Sequence, residues 1–134
     1  MQNRSMPPGD VIPELPYADV GEAVAWLSAA FGFQERLRIA DHRAQLVVGA
    51  GSVVAVHGVP SAPSSVMVRV ADVDAHYRKS CAYGVRVSGP PATFPYGERQ
   101  YSATDPAGHH WTFSQSIADM DPADWGGQLV SGQT

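Results

Sequence analysis

Ala18-Asp19-Val20 and Ala71-Asp72-Val73 are the same three residues at an offset of 53, and what surrounds them decides the fold. In both copies an aspartate stands where an amphipathic helix begins, the place where a short acceptor side chain satisfies exposed backbone N–H groups. After Asp19, Glu22 takes the capping-box position, and Val20, Val24, Leu27 and Phe31 form one apolar stripe. After Asp72 the stripe is Val73, Tyr77 and Cys81, which places Cys81 on a buried helix face. Gly32 and Gly84 follow 13 and 12 residues after their aspartates. Glycine commonly ends a helix because it tolerates the left-handed conformation just past the last turn.

Strands flank both helices. Val11 to Tyr17 reads as a strand before the first helix, irregular or at a sheet edge because Pro13 and Pro16 donate no ladder hydrogen bond. Phe33–Ile39, Arg43–Val48 and Ser52–Val56 follow, the last two joined by a Gly49-Ala50-Gly51 turn. Residues 60–64 are a turn-rich linker, and the order restarts with Ser65–Val70. After the second helix come a strand at Val85–Val87, a Pro- and Gly-rich loop from Ser88 to Gly97, and a hairpin of Arg99–Thr104 and His109–Gln115 around Asp105-Pro106-Ala107-Gly108. The expected fold is therefore α+β, two βαβββ modules over 11–59 and 65–116. Residues 1–10 read as a flexible tail. Residues 117–134 read as a second tail with a short capped turn at Asp121-Pro122 anchored by Trp125, and with Val130–Thr134 disordered.

Composition narrows the function classes. The chain has 134 residues, 44% of them hydrophobic, enough for one core. A net charge of −4 without a Lys/Arg cluster gives no footprint for nucleic acid or an anionic membrane. No apolar run approaches the roughly 20 residues that span a bilayer. The one cysteine excludes an intrachain disulfide, and a cytoplasmic location is expected.

The paired module order resembles the vicinal-oxygen-chelate superfamily of glyoxalases, bleomycin-resistance proteins and dioxygenases. The residues carrying the likeness are Pro16-Tyr17-Ala18-Asp19-Val20, Ala30-Phe31-Gly32-Phe33 and Asp105-Pro106-Ala107-Gly108-His109-His110-Trp111-Thr112-Phe113. The resemblance implies a cupped mixed sheet enclosing a pocket, with helices on the outside, and a homodimer. It also implies a divalent metal held by His, Gln or Glu on the first and last strands of each module. Those positions fall near Ile12, Ala55, Ser65 or Val66, and Thr112, none of them a good ligand for such an ion. No metal and no cofactor are expected.

Strand alternation assigns the faces. Trp111 and Phe113 go to the core, with His110, Thr112 and Ser114 toward the cup. Leu15 and Tyr17 go to the core and Glu14 to the cup. Val54 and Val56 read as core, and Val53, Ala55 and His57 as cup-facing. The offset makes Met67 and Arg69 the counterparts of Glu14 and Pro16. Candidate ligand-binding residues are thus Glu14, His57, Arg69, His110 and Thr112, joined by Phe94, Tyr96, Arg99 and Tyr101 of the Pro-rich loop and the strand after it. Glu14 and Arg69 read equally as an ion pair at the rim, and His109 as a turn residue. The loop aromatics suit stacking on a planar ligand, and Arg99 an anionic or carbonyl group. The leading expectation is a metal-independent small-molecule binder for an antibiotic or other aromatic ligand. The alternatives are a lyase, isomerase or dioxygenase-like enzyme using Glu14 or His110 as base or a displaced metal, and an interaction module without a ligand.

Overall fold

Both aspartates cap helices as the repeat requires. A computed structural model describes residues 1–130; the end of the chain that the sequence reads as disordered falls largely on 131–134, outside the described residues. The first module comprises β1 (Glu14–Tyr17), α1 (Val20–Phe31), β2 (Gln34–Ile39), β3 (Arg43–Val48) and β4 (Gly51–His57). The second comprises β5 (Ser65–Arg69), α2 (Val73–Tyr83), β6 (Arg86–Val87), β8 (Glu98–Thr104) and β9 (His110–Ser116), with a short β7 (Ala92–Thr93) inserted in the Pro-rich loop. Asp19 accepts from the Glu22 N–H at 2.9 Å and Asp72 from the Ala75 N–H at 3.0 Å. Gly32 and Gly84 close the helices at φ 78° and 87°, conformations a side chain would strain.

The sheets obey the same internal symmetry. One runs β1-β4-β3-β2; the other runs β5-β9-β8-β6, with β7 on β8. Each opens with a parallel pair: Leu15 beside Ala55 in the first, Val68 beside Phe113 in the second. The remaining pairs are antiparallel. The chain is thus an α+β protein of two mixed-sheet modules.

One hydrophobic core joins the helix-covered faces of both sheets. It holds Leu15, Ala44, Leu46, Val53 and Ala55 from the first sheet and Tyr101, Ala103, Trp111 and Phe113 from the second. Phe31, at the end of α1, lies 4.8 Å from the Phe113 ring and 5.8 Å from Trp111, so the first module's helix packs on the second module's sheet. This packing turns the helix-free faces of the two sheets outward, away from the shared core.

Two expectations are overturned here. Val53 and Ala55 lie in the core with His57 on the same strand face, while Val54 and Val56 pair with Glu14 and Pro16 on the opposite face. Alternation could not decide, because Val53, Val54 and Ala55 are all buried and the strand is covered on both sides. Cys81 is exposed, not buried. The inward face of α2 is Val73, His76, Tyr77 and Ser80, since Tyr101 offers the polar pair a partner inside the core.

Candidate functional site

The helix-free face of the second sheet carries a continuous polar surface. The β8–β9 register sets Glu98, Gln100, Ser102 and Thr104 beside Ser116, Ser114, Thr112 and His110. Ser114 donates to Glu98 at 2.6 Å and accepts from Gln100 at 3.0 Å. Tyr96 donates to the Gln100 carbonyl at 3.2 Å, and Ser102 meets Thr112 at 3.2 Å. Hydroxyls of Ser114 and Ser116 hold the Glu98 carboxyl below its usual range, and the positive charge of Arg69 acts in the same direction. Thr104 approaches the His110 ring at 3.4 Å. Met67 and Arg69 border this surface on edge strand β5.

An aromatic shelf closes one end. Phe94 and Tyr96 stack with centroids 5.5 Å apart and planes 9° from parallel, and Trp125 of the C-terminal turn sits edge-on against Tyr96. That turn spans Pro122–Trp125, with Asp121 accepting from the Ala123 N–H at 3.1 Å. Phe94 and Tyr96 remain 37% and 36% exposed, so a ring surface stays available.

Of the sequence candidates, Arg69, His110 and Thr112 share this face, and Phe94 and Tyr96 stand at its end. The others lie elsewhere. Glu14 is on the first sheet, paired with Arg43 at 2.8 Å rather than with Arg69. His57 ends β4 on the Tyr17 side. Arg99 grips Asp74 at the start of α2 through Nε at 3.0 Å and Nη2 at 2.9 Å. Glu98, Gln100 and Ser102 join Ser114, which alternation already sets toward the cup, in the network; the three follow from their pairing with Ser116, Ser114 and Thr112 once β8 is extended to Glu98.

Tyr101 belongs to the core, where burial pushes its phenol up to about 12. It meets His76 Nδ1 at 2.5 Å and Ser80 Oγ at 2.8 Å. Burial, and secondarily Lys79, hold His76 below its ordinary value of 6.5, against a hydrogen bond to the Phe31 carbonyl. The unfolded chain therefore binds this proton more readily. Stability from the neutral ring is present above about pH 6.5 and is lost as pH falls below it. Denaturant midpoints should drop between about pH 7.5 and 5.5 and drop less in His76→Gln; equal drops would refute the assignment.

His109 does more than serve its turn. It is fully buried, with Nδ1 accepting from the Ser64 N–H at 3.0 Å and Nε2 facing the Pro16 carbonyl at 2.8 Å. These partners set a proton on Nε2, and the ring bridges the two modules.

A sequence profile described as the glyoxalase/bleomycin resistance protein/dioxygenase superfamily matches residues 12–113. The chain belongs to that superfamily. Its fold is similar to that of TioX from Micromonospora sp. ML1, with a TM-score of 0.74 and 34% identity over 81% of this chain and 99% of that one. The bleomycin resistance determinant encoded on transposon Tn5 shares the fold at 20% identity and a TM-score of 0.69, over 82% of this chain and 99% of that one. So does lactoylglutathione lyase from Agrobacterium tumefaciens, at 16% identity and a TM-score of 0.69, over 81% and 94%. No curated protein sequence matches the chain.

The divalent metal of superfamily enzymes does not fit this chain's donors. Of the positions the resemblance implies, Ala55 and Val66 pair with Leu15 and Trp111 on the core side; their outward neighbours Val54 and Met67, with Thr112, offer no ligand, and Glu14 on β1 is the one carboxylate beside them. Among the described residues, no three His, Cys, Asp or Glu side chains come together to hold a metal. No helix of the described residues is long and apolar enough to cross a membrane.

Proposed function

We propose that this superfamily member binds a small organic ligand with a planar aromatic part, without a resident metal, on the polar face of β8 and β9. A second copy of the chain completes the site. The observation that carries the reading is the half-exposed Phe94–Tyr96 stack beside Gln100, Ser114 and Thr112. A planar ring adds to that stack, while the hydroxyls and amide orient its polar substituents. The second copy is supported by the exposure of this face, where Met67 is 66% exposed. An exposed free Cys81 suits the reducing cytoplasm.

Calorimetric titration with a panel of aromatic antibiotics and related planar compounds tests the reading. Saturable, stoichiometric binding without turnover is expected. Phe94→Ala and Tyr96→Ala should each weaken it about tenfold, the loss of one stacking contact. Binding unchanged in both variants would place the ligand elsewhere. A monomeric mass at micromolar concentration would remove the second copy.

A further inference from the structure

Where the start of α1 meets the β8–β9 hairpin, the seam between the modules opens into a cavity of about 240 Å³. Tyr17 and Leu27, both buried, form its floor, and Trp26 and Ala107 stand in its walls. These walls are fixed before any ligand arrives. The Asp105 carboxylate, beneath the floor, takes the Tyr17 hydroxyl at 2.7 Å and the Ala107 N–H at 3.0 Å, so one buried group holds both sides of the seam. Trp26 is held edge-on to Phe31 and Tyr83, with centroids 5.0 and 6.3 Å away. Asp19 and Glu22, both exposed, stand at the mouth. Among the described residues neither belongs to an ion pair. The Arg38 guanidinium comes close to Gly21 beside them, but its partner is Glu35.

We propose that this cavity is a binding site for a small organic ammonium ion with an apolar body, separate from the polar face of β8 and β9. The carbon-lined walls take the body, because water finds few hydrogen-bond partners among them. The indole of Trp26 attracts a cation through its ring electrons. The two carboxylates at the mouth accept charge-assisted hydrogen bonds from an ammonium group. An anion of the same shape meets two like charges there, and a neutral isostere gains nothing from them, so charge sets the selection. The cavity lies beside α1, whereas Phe94 and Tyr96 border the helix-free face, so the two sites stand or fall independently.

Titrating the full chain with phenethylamine, a cation at neutral pH, and following backbone amides by two-dimensional NMR reads affinity and place together. Saturable shifts centred on Tyr17–Leu27 and Ala107 are expected. Phenethyl alcohol and phenylacetate, neutral and anionic analogues of similar shape, should bind about tenfold more weakly or not at all. Glu22 serves the helix cap through its backbone N–H alone, so Glu22→Gln leaves the fold intact. It should weaken amine binding about fivefold, the upper end for a solvent-exposed ion pair. Ala23→Leu keeps a strong helix former on α1, fills the cavity and should abolish binding. Phe94→Ala and Tyr96→Ala, which test the other site, should leave amine binding unchanged. No saturable shift, shifts centred on Phe94 and Tyr96, equal binding of the amine and the alcohol, or an affinity unmoved by Glu22→Gln or Ala23→Leu would each overturn the proposal.

Discussion

Asp105→Ala is expected to lower folding stability by about 3–5 kcal/mol, a large share of the roughly 5–15 kcal/mol that holds a domain together. The carboxylate is 4% exposed and accepts four hydrogen bonds. Oδ2 takes the Tyr17 hydroxyl at 2.7 Å and the Trp111 indole N–H at 3.1 Å. Oδ1 takes the Ala107 and His109 backbone N–H groups at 3.0 and 3.1 Å. Alanine strands four donors in or beside the core, and stranding a buried donor costs more than the bond contributed while it was made. The phenol shows how tightly the pair is held: burial first, then the carboxylate's charge, push Tyr17 far above its ordinary titration range. Asp105→Asn should cost less, because one oxygen still serves the backbone pair while its NH2 faces the indole N–H. Urea unfolding checks this series. A midpoint shift equivalent to less than about 1 kcal/mol in the alanine variant would mean that the hairpin relaxes to water and the network is not structural.

That carboxylate also marks where sequence reading stopped. The repeat, both caps, the terminating glycines and the alternation of Trp111 and Phe113 are local signals, carried by residues a few positions apart, and each survives in the structure. What was missed depends on partners far along the chain. Asp105 reads as a turn residue until Tyr17, 88 residues away, is placed against it. His76 and Ser80 spoil the apolar stripe of α2 unless Tyr101, 25 residues on from His76, is known to satisfy them. Alternation assigns the faces of β4 the wrong way round because its second cover is the Pro- and Gly-rich segment 4–9, which takes hydrogen bonds from Gln45 and Ser52 but has no periodicity to announce that it packs. Of the candidate site, the half set by strand alternation was legible in Arg69, His110 and Thr112. Arg99 and Tyr101 went with it only because β8 was read without fixing which of its faces meets α2.

Phe31→Ala should cost about 3–5 kcal/mol, the range for truncating a buried aromatic. The ring is 4% exposed and touches aromatic groups from three directions: Trp26 on its own helix at 5.0 Å, Phe33 at 5.6 Å, and Phe113 at 4.8 Å across the module boundary. His76 stacks on it at 6.0 Å, and Trp111 is tilted against it at 5.8 Å. A cavity here has walls from both modules, and neither can close it alone: α1 is fixed by its cap at Asp19, and β9 by its ladders to β5 and β8. Little collapse means that nearly the full cavity penalty is retained. The loss should also be non-additive with Phe113→Ala, since the two rings face each other and the second truncation enlarges a void already present. A double-mutant cycle by urea unfolding reads both quantities. Strict additivity would show that the modules hold together mainly through the Asp105 and His109 bridges, with the aromatic contact incidental.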